Sequence, residues 1–144
     1  DHRDLHSFPT RRSSDLGKIM IDLKDETGAK IGEFGLNPSD VGIVDRFRAV
    51  IDFFNGYGDS EDADPLDRAS ELNRKIGEQF DYLLGENAHE GIFGKVSALS
   101  LNSDGDFFFE GIIEGLGGII EQITKKRVDK KLKKIKKYTD KYAK

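Results

Sequence analysis

The 144-residue chain has no cysteine and no tryptophan, one methionine, three prolines and three histidines. Without cysteine there is neither a disulfide framework nor a thiolate zinc site. His2 and His6 fall at the start of the chain, and His89 stands alone, which is too few ligands for a zinc centre. No run approaches the roughly 18 apolar residues that a membrane-crossing helix requires. A glycine-rich phosphate loop, a cation clamp and a nucleophile set beside a base are all missing as patterns. The expectation is therefore a protein that is not an enzyme and holds no cofactor or metal.

What is present begins with an anomaly. Asp1–Leu16, DHRDLHSFPTRRSSDL, resembles along its whole length the in-frame translation of a common sequencing-library adapter. That resemblance implies an artefact, expected to be disordered, with the natural chain visible from about Gly17. Chemistry on His2, His6, Arg11 or Arg12 is set aside, as it would be for a tag. Gly17–Lys144 then has the size of one domain. Its apolar fraction of 36% and charged fraction of 35% call for an economical core under a heavily charged surface.

The formal charge of −4 conceals a division. Residues 17–124 carry nine basic and 22 acidic side chains, a net of −13, whereas 125–144 carry 11 basic and two acidic, a net of +9. An acidic body with a basic tail implies either internal attraction or two kinds of partner.

Periodicity suggests the elements. Ile19, Ile21 and Leu23 alternate with Met20, Asp22 and Lys24 as a strand does. Asp25-Glu26-Thr27-Gly28 reads as a turn, and Ala29–Leu36 as a second strand bent by its glycines. Asn37-Pro38-Ser39-Asp40 reads as a helix start. The apolar stripe behind it is Val41, Val44, Phe47, Ile51 and Phe54, widened by Ile43 and Val50, with a stop at Asn55-Gly56. Asp64-Pro65 opens a second helix with Leu66, Ala69, Leu72, Ile76, Phe80, Leu83 and Leu84 on one face, closed by Gly85. A short turn carries Ile92 and Phe93. A long helix is expected from about Asp106 to Tyr138, apolar at first and lysine-rich later, with a kink near Gly117-Gly118. The fold class expected is α+β, mostly α: an N-terminal β-hairpin packed on about three helices, with a long basic C-terminal helix.

Candidate chemistry is sparse. His89, beside Glu86 and Glu90, reads as solvated or locally bonded. Asp59–Asp64 fails as an EF-hand loop because its sixth position is Asp64, not Gly, and its twelfth is Ser70, not Glu. Asn102–Asp106 fails too, since its first position would be Ser100 and its twelfth Gly111. Glu110 and Glu114, four apart, read as exposed or capping carboxylates rather than an acid–base pair. Gly111-x-x-x-Gly115 marks close packing against the hairpin or the second helix, with self-association into a homo-oligomer as the minor reading. The tail, with Val128, Leu132 and Ile135 among lysines, is a basic amphipathic helix. It suits nucleic acid, an anionic membrane surface or an acidic protein face.

Several short motifs occur in a telling order: Gly32-Glu33-Phe34 and Asn37-Pro38, a helix, Phe80-Asp81-Tyr82-Leu83-Leu84-Gly85, Ile92-Phe93-Gly94, Phe107-Phe108-Phe109-Glu110, and the lysine-tyrosine tail. Together they resemble the tail assembly chaperones, small proteins encoded among the tail genes of long-tailed bacteriophages. Ser97-Ala98-Leu99-Ser100-Leu101 departs from the polar-Pro-Leu element that the family places after its Phe-Gly turn. The resemblance implies a non-enzymatic protein that binds the tape-measure protein or tail-tube subunits during virion tail assembly in the host cytoplasm, and that is absent from the mature virion. It implies no catalytic residue, cofactor, metal or membrane partner. Partner contact is expected at Phe93, Phe107 and Phe108 as aromatic anchors, beside their plain reading as core. It is expected also at Lys133, Lys134, Ile135, Lys136 and Lys137 of the tail. The competing function is a nucleic-acid-binding module acting through that basic helix, which the acidic body disfavours.

Overall fold

In the computed structural model a seven-residue strand, β3 (Ile19–Asp25), lies at the centre of one small antiparallel sheet. The structure describes residues 5–12, 18–57 and 64–142, without the side chains of residues 6, 11, 12, 127, 128 and 130–142. β4 (Lys30–Leu36) pairs with β3 as a hairpin, with Ile19 opposite Leu36, Ile21 opposite Phe34 and Leu23 opposite Gly32. Those side chains share the inner face, as a period of two requires. The register slips between Leu23 and Lys24, which is the bend expected from the glycines. The turn is held by Asp25, whose carboxylate accepts from the Thr27 N–H (2.9 Å), the Thr27 hydroxyl (2.6 Å) and the Ala29 N–H (3.0 Å). Gly28 supplies the positive φ of 83°. On the outer face Asp22 faces Glu33, and Lys30 bridges the two carboxylates at 3.5 and 3.2 Å.

The first segment differs from expectation. Within the stretch read as disordered, β1 (Leu5–Ser7) and β2 (Thr10–Arg12) pair antiparallel with the other side of β3. They form one edge strand broken at Phe8-Pro9. The cause is the sheet itself: β3 without a second neighbour presents a row of unsatisfied backbone groups, which any extended segment of suitable side chains satisfies.

Four helices follow. α1 (Ile43–Gly56) begins later than the Asn37-Pro38 signal, because Asn37 closes a turn instead. Its side chain accepts from the Ser39 N–H at 2.9 Å, and Asp40 accepts from the Gly42 N–H at 3.0 Å. Val41 is consequently left exposed, and the buried line of α1 runs through Ile43 and Val50. α2 (Pro65–Leu84) starts as expected, with Asp64 accepting from the Leu66 N–H at 3.0 Å and Pro65 in the first turn. Ile76, Phe80 and Leu83 are buried, while Leu66 projects into solvent. Gly85, at φ 115°, ends the helix. α3 (Ala88–Phe93) is a short helix buried at Ile92. α4 (Phe108–Tyr142) is helical without interruption through Gly117-Gly118. No helix among the described residues is long and apolar enough to cross a membrane.

The protein is thus α+β and mostly helical, with the inner face of the hairpin buried among the helices. α3 is set by backbone contact. A Cβ on Gly32 would stand 2.7 Å from the Ile92 carbonyl, and one on Gly91 would stand 2.7 Å from the Glu33 carbonyl. Neither obstacle is a flexible side-chain end. Gly32→Ala is expected to destabilise the fold by about 1–3 kcal/mol, as overpacking does. Denaturant unfolding of that variant beside the parent checks it; equal midpoints would show that α3 shifts freely.

Candidate functional site

Phe107 stands just before α4 in an isolated antiparallel bridge to Leu101, and Phe108 and Phe109 open the helix. Phe108 is 5% exposed and meets Phe93 edge-on (centroids 5.9 Å apart, 79°), and Phe93 meets Phe80 in the same manner (5.1 Å, 83°). Phe93 is half-buried. Of the three rings expected to contact a partner, Phe108 therefore joins the core, where a ring's surface leaves water, and Phe93 and Phe107, both half-buried, pack against it. Phe109 is also buried, tilted against Phe54 at 5.2 Å.

Of the expected anchors, Phe107 borders two grooves. It is half-buried and stacks on Phe109 at 5.9 Å with an interplanar angle of 19°. Its backbone N–H donates to Glu110 Oε1 at 3.2 Å, so Glu110 closes the start of the helix as a cap. The preceding loop is fixed by Asn102, whose side-chain oxygen accepts from the Asp104 N–H (3.0 Å) and the Asp106 N–H (2.8 Å). The loop is closed by Asn102 and Glu110.

Two grooves meet at Phe107. One, of ≈ 580 Å³, runs between Leu5 and Phe8 of the edge segment, Val96 and Leu101 of the loop before α4, and Gly111. The other, of ≈ 480 Å³, lies between Ile51, Phe54 and Tyr57 of α1, Leu72 of α2 and Ile113 of α4. Glu114 borders both and is exposed. The sequence pairs Glu110 with Glu114 on one face; the structure makes one a cap and the other a rim charge. The second groove is chiefly apolar, which suits the burial of apolar side chains from another polypeptide, whereas the first is as polar as it is apolar, with Lys95, Ser97, Ser100 and Asn102 in its lining.

His89 is locally bonded. Its Nδ1 stands 2.8 Å from both carboxylate oxygens of Asp81, and its backbone N–H donates to Asp81 Oδ1 at 2.9 Å. This ties α3 to the last turns of α2. The partner was not readable from spacing, because Asp81 lies eight residues away, across the turn at Gly85. Arg46 acts similarly, pairing with Asp40 and donating from Nε to the Leu83 carbonyl at 3.3 Å. On the outer face of α2, Arg74 bridges Glu71 (2.6 Å) and Glu78. The hydrogen bond to Glu71 and the attraction of both carboxylates push its pKa up, leaving its charge fixed at any working pH. Among the described residues no group of three or more His, Cys, Asp or Glu is placed to hold a metal ion.

In the tail, Lys125, Lys126 and Asp129 are exposed on α4. Lys133, Lys134, Ile135, Lys136 and Lys137 continue the helical backbone, and their side chains lie outside the described residues, as do Asp59–Ala63 of the acidic loop. Comparison of the chain with family models, with curated proteins and with solved structures finds no match.

The two neighbouring rings are expected to separate cleanly on truncation. Phe108→Ala should cost about 3–5 kcal/mol of stability, the range for a buried aromatic. Phe107→Ala should cost less than half as much. Thermal melts of both variants measure this; equal losses would mean that Phe107 is core as well.

Proposed function

We propose that the chain is a non-enzymatic assembly chaperone of the phage-tail kind, which holds tape-measure or tail-tube protein in the host cytoplasm before it is built into the virion. The observation that carries this reading is the chiefly apolar groove of α1, α2 and α4 that meets a second, mixed groove at Phe107, set on a body of net charge −13. An assembly chaperone has to shield apolar segments of a client and stay soluble while doing so. An open apolar groove serves the first need, and a strongly charged surface serves the second. The motif order from Gly32-Glu33-Phe34 to Phe107-Phe108-Phe109-Glu110 points the same way. Within this reading Phe107 is the anchor, Glu114 selects against acidic segments, and the lysines from Lys125 onward meet acidic stretches of the client. Co-expression with a tape-measure fragment should give a soluble complex, and Phe107→Ala should weaken it at least tenfold in pull-down titration. A fragment that aggregates regardless of co-expression would end this reading.

A second reading is favoured by the exposure of Lys125 and Lys126 on a helix that runs into the last 20 residues of the chain, which carry 11 basic side chains. It makes the tail a duplex-binding element acting through counterion release. With about six phosphate contacts, affinity should fall roughly 10³-fold between 50 and 200 mM salt. Deletion of Lys125–Lys144 should abolish it. Weak binding with a flat salt profile in an electrophoretic or anisotropy titration would dismiss it.

A further inference from the structure

Five asparagines stand in the chain, and their backbone surroundings sort them chemically. An asparagine side chain loses its amide nitrogen when the backbone nitrogen of the next residue reaches its Cγ. Asn37 precedes Pro38, whose nitrogen carries no hydrogen. Asn73 lies in the middle of α2, where the next N–H belongs to the helical ladder. Ala88, after Asn87, donates its N–H to the Gly85 carbonyl at 3.1 Å. Asn102 has its side-chain oxygen held by two backbone N–H groups, at 3.0 and 2.8 Å. Each of these four is thereby denied the attack.

Asn55 is different. It precedes Gly56 in the one Asn-Gly pair of the sequence, and the two residues end α1. Both are exposed. A Cβ at Gly56 would meet nothing within 4 Å. The helix stop is loose as well. Tyr57 is extended (φ −73°, ψ 112°), its N–H reaches the Phe54 carbonyl at 3.3 Å, and the last turn holds no basic side chain. α2 shows a firm stop by contrast: Gly85, at φ 115°, donates to the Asp81 carbonyl at 2.8 Å. Terminal turns open at little cost in free energy, and glycine adds the conformational freedom that the attack requires of Gly56.

We propose that Asn55 is a site of spontaneous deamidation, converting without any enzyme to aspartate and isoaspartate. Hydroxide takes the Gly56 amide proton, and the nitrogen attacks Asn55 Cγ. The new N–Cγ bond closes a succinimide ring. The Cγ–Nδ2 bond breaks, and the nitrogen leaves as ammonia after taking a proton from water. One water then opens the ring at either carbonyl. Opening at Cγ leaves aspartate; opening at the backbone carbonyl leaves isoaspartate, whose main chain runs through the former side-chain methylene. Nothing is oxidised or reduced, and water is the only co-reactant. Either product places a carboxylate where a neutral amide stood, on the groove lined by Phe54, Tyr57, Phe107 and Glu110. Isoaspartate also lengthens the main chain by one carbon directly after Phe54, which packs on Phe109. The groove thus gains negative charge as the molecule ages, and the chemistry at Asn55 does not depend on what that groove holds.

The test holds the purified full chain in warm, mildly alkaline buffer beside a capped peptide spanning Asp52–Tyr57 as the unstructured reference. Peptide mapping by mass spectrometry follows the one-dalton gain at each asparagine, and enzymatic methylation counts the isoaspartate. Asn55 in the folded chain should convert at no less than about a tenth of the peptide's rate, as a terminal turn that opens readily allows. It should convert at least tenfold faster than Asn37, Asn73, Asn87 or Asn102. Gly56→Ala should slow the reaction at least tenfold without lowering the melting temperature, because the methyl has open space and alanine favours the helix. Asn55→Gln should remove the signal. The proposal fails if Asn55 converts more than tenfold slower than the peptide, which would show that α1 protects it. It fails also if the other asparagines convert as fast, or if Gly56→Ala reacts like the parent.

Discussion

The architecture depends on a place where two backbones touch. Gly32 in β4 and Gly91 in α3 let the strand and the short helix meet at carbonyl distance, with no side chain between them. Six residues of helix would be marginal alone. Pressed on the hairpin in this way, α3 delivers Ile92 to the core and positions Phe93 between Phe80 and Phe108. That row of rings links α2, α3 and α4, and edge-on contacts of this kind contribute about 0.5–1.5 kcal/mol each beyond the area they bury. The polar ties reinforce the same junction: Asp81 accepts from His89 across the α2–α3 turn, and Arg46 fastens the entry to α1 onto the end of α2.

The two grooves at Phe107 are a by-product of that packing. Once Phe108 and Phe109 turn inward, Phe107 is left on the outside, and hollows form on both sides of it. Glu110 is committed to the helix start, which leaves Glu114 as the charge both hollows share.

Much of this was readable from the residues in order. Alternation of apolar side chains located β3 and β4, Asp64-Pro65 located α2 to the residue, and Gly85 marked its end. Asn37-Pro38 misled because Asn and Pro serve turns as well as helices. Here the Asn37 side chain bonds two residues ahead and delays α1 to Ile43. The pairing of His89 with Asp81 was hidden, since it depends on how a turn folds back. The glycines of α4 announced a close neighbour, but the neighbour was a strand from the start of the chain rather than the hairpin or α2. Which Phe of the triplet stays half-buried was hidden too, because Phe107 stands before the helix in a bridge to Leu101, and a run apolar nearly all round conceals where the helix begins.

The uninterrupted course of α4 has an electrical consequence. Its last 18 residues, Lys125–Tyr142, extend over about 27 Å at 1.5 Å per residue. In physiological salt the screening length is about 8 Å. The far lysines are thus shielded from the carboxylates of the body, and the two ends act as separate ions sharing one rod. In dilute buffer, near 0.01 M ionic strength, the screening length grows to about 30 Å, past the length of that rod, and the same molecule becomes a single dipole.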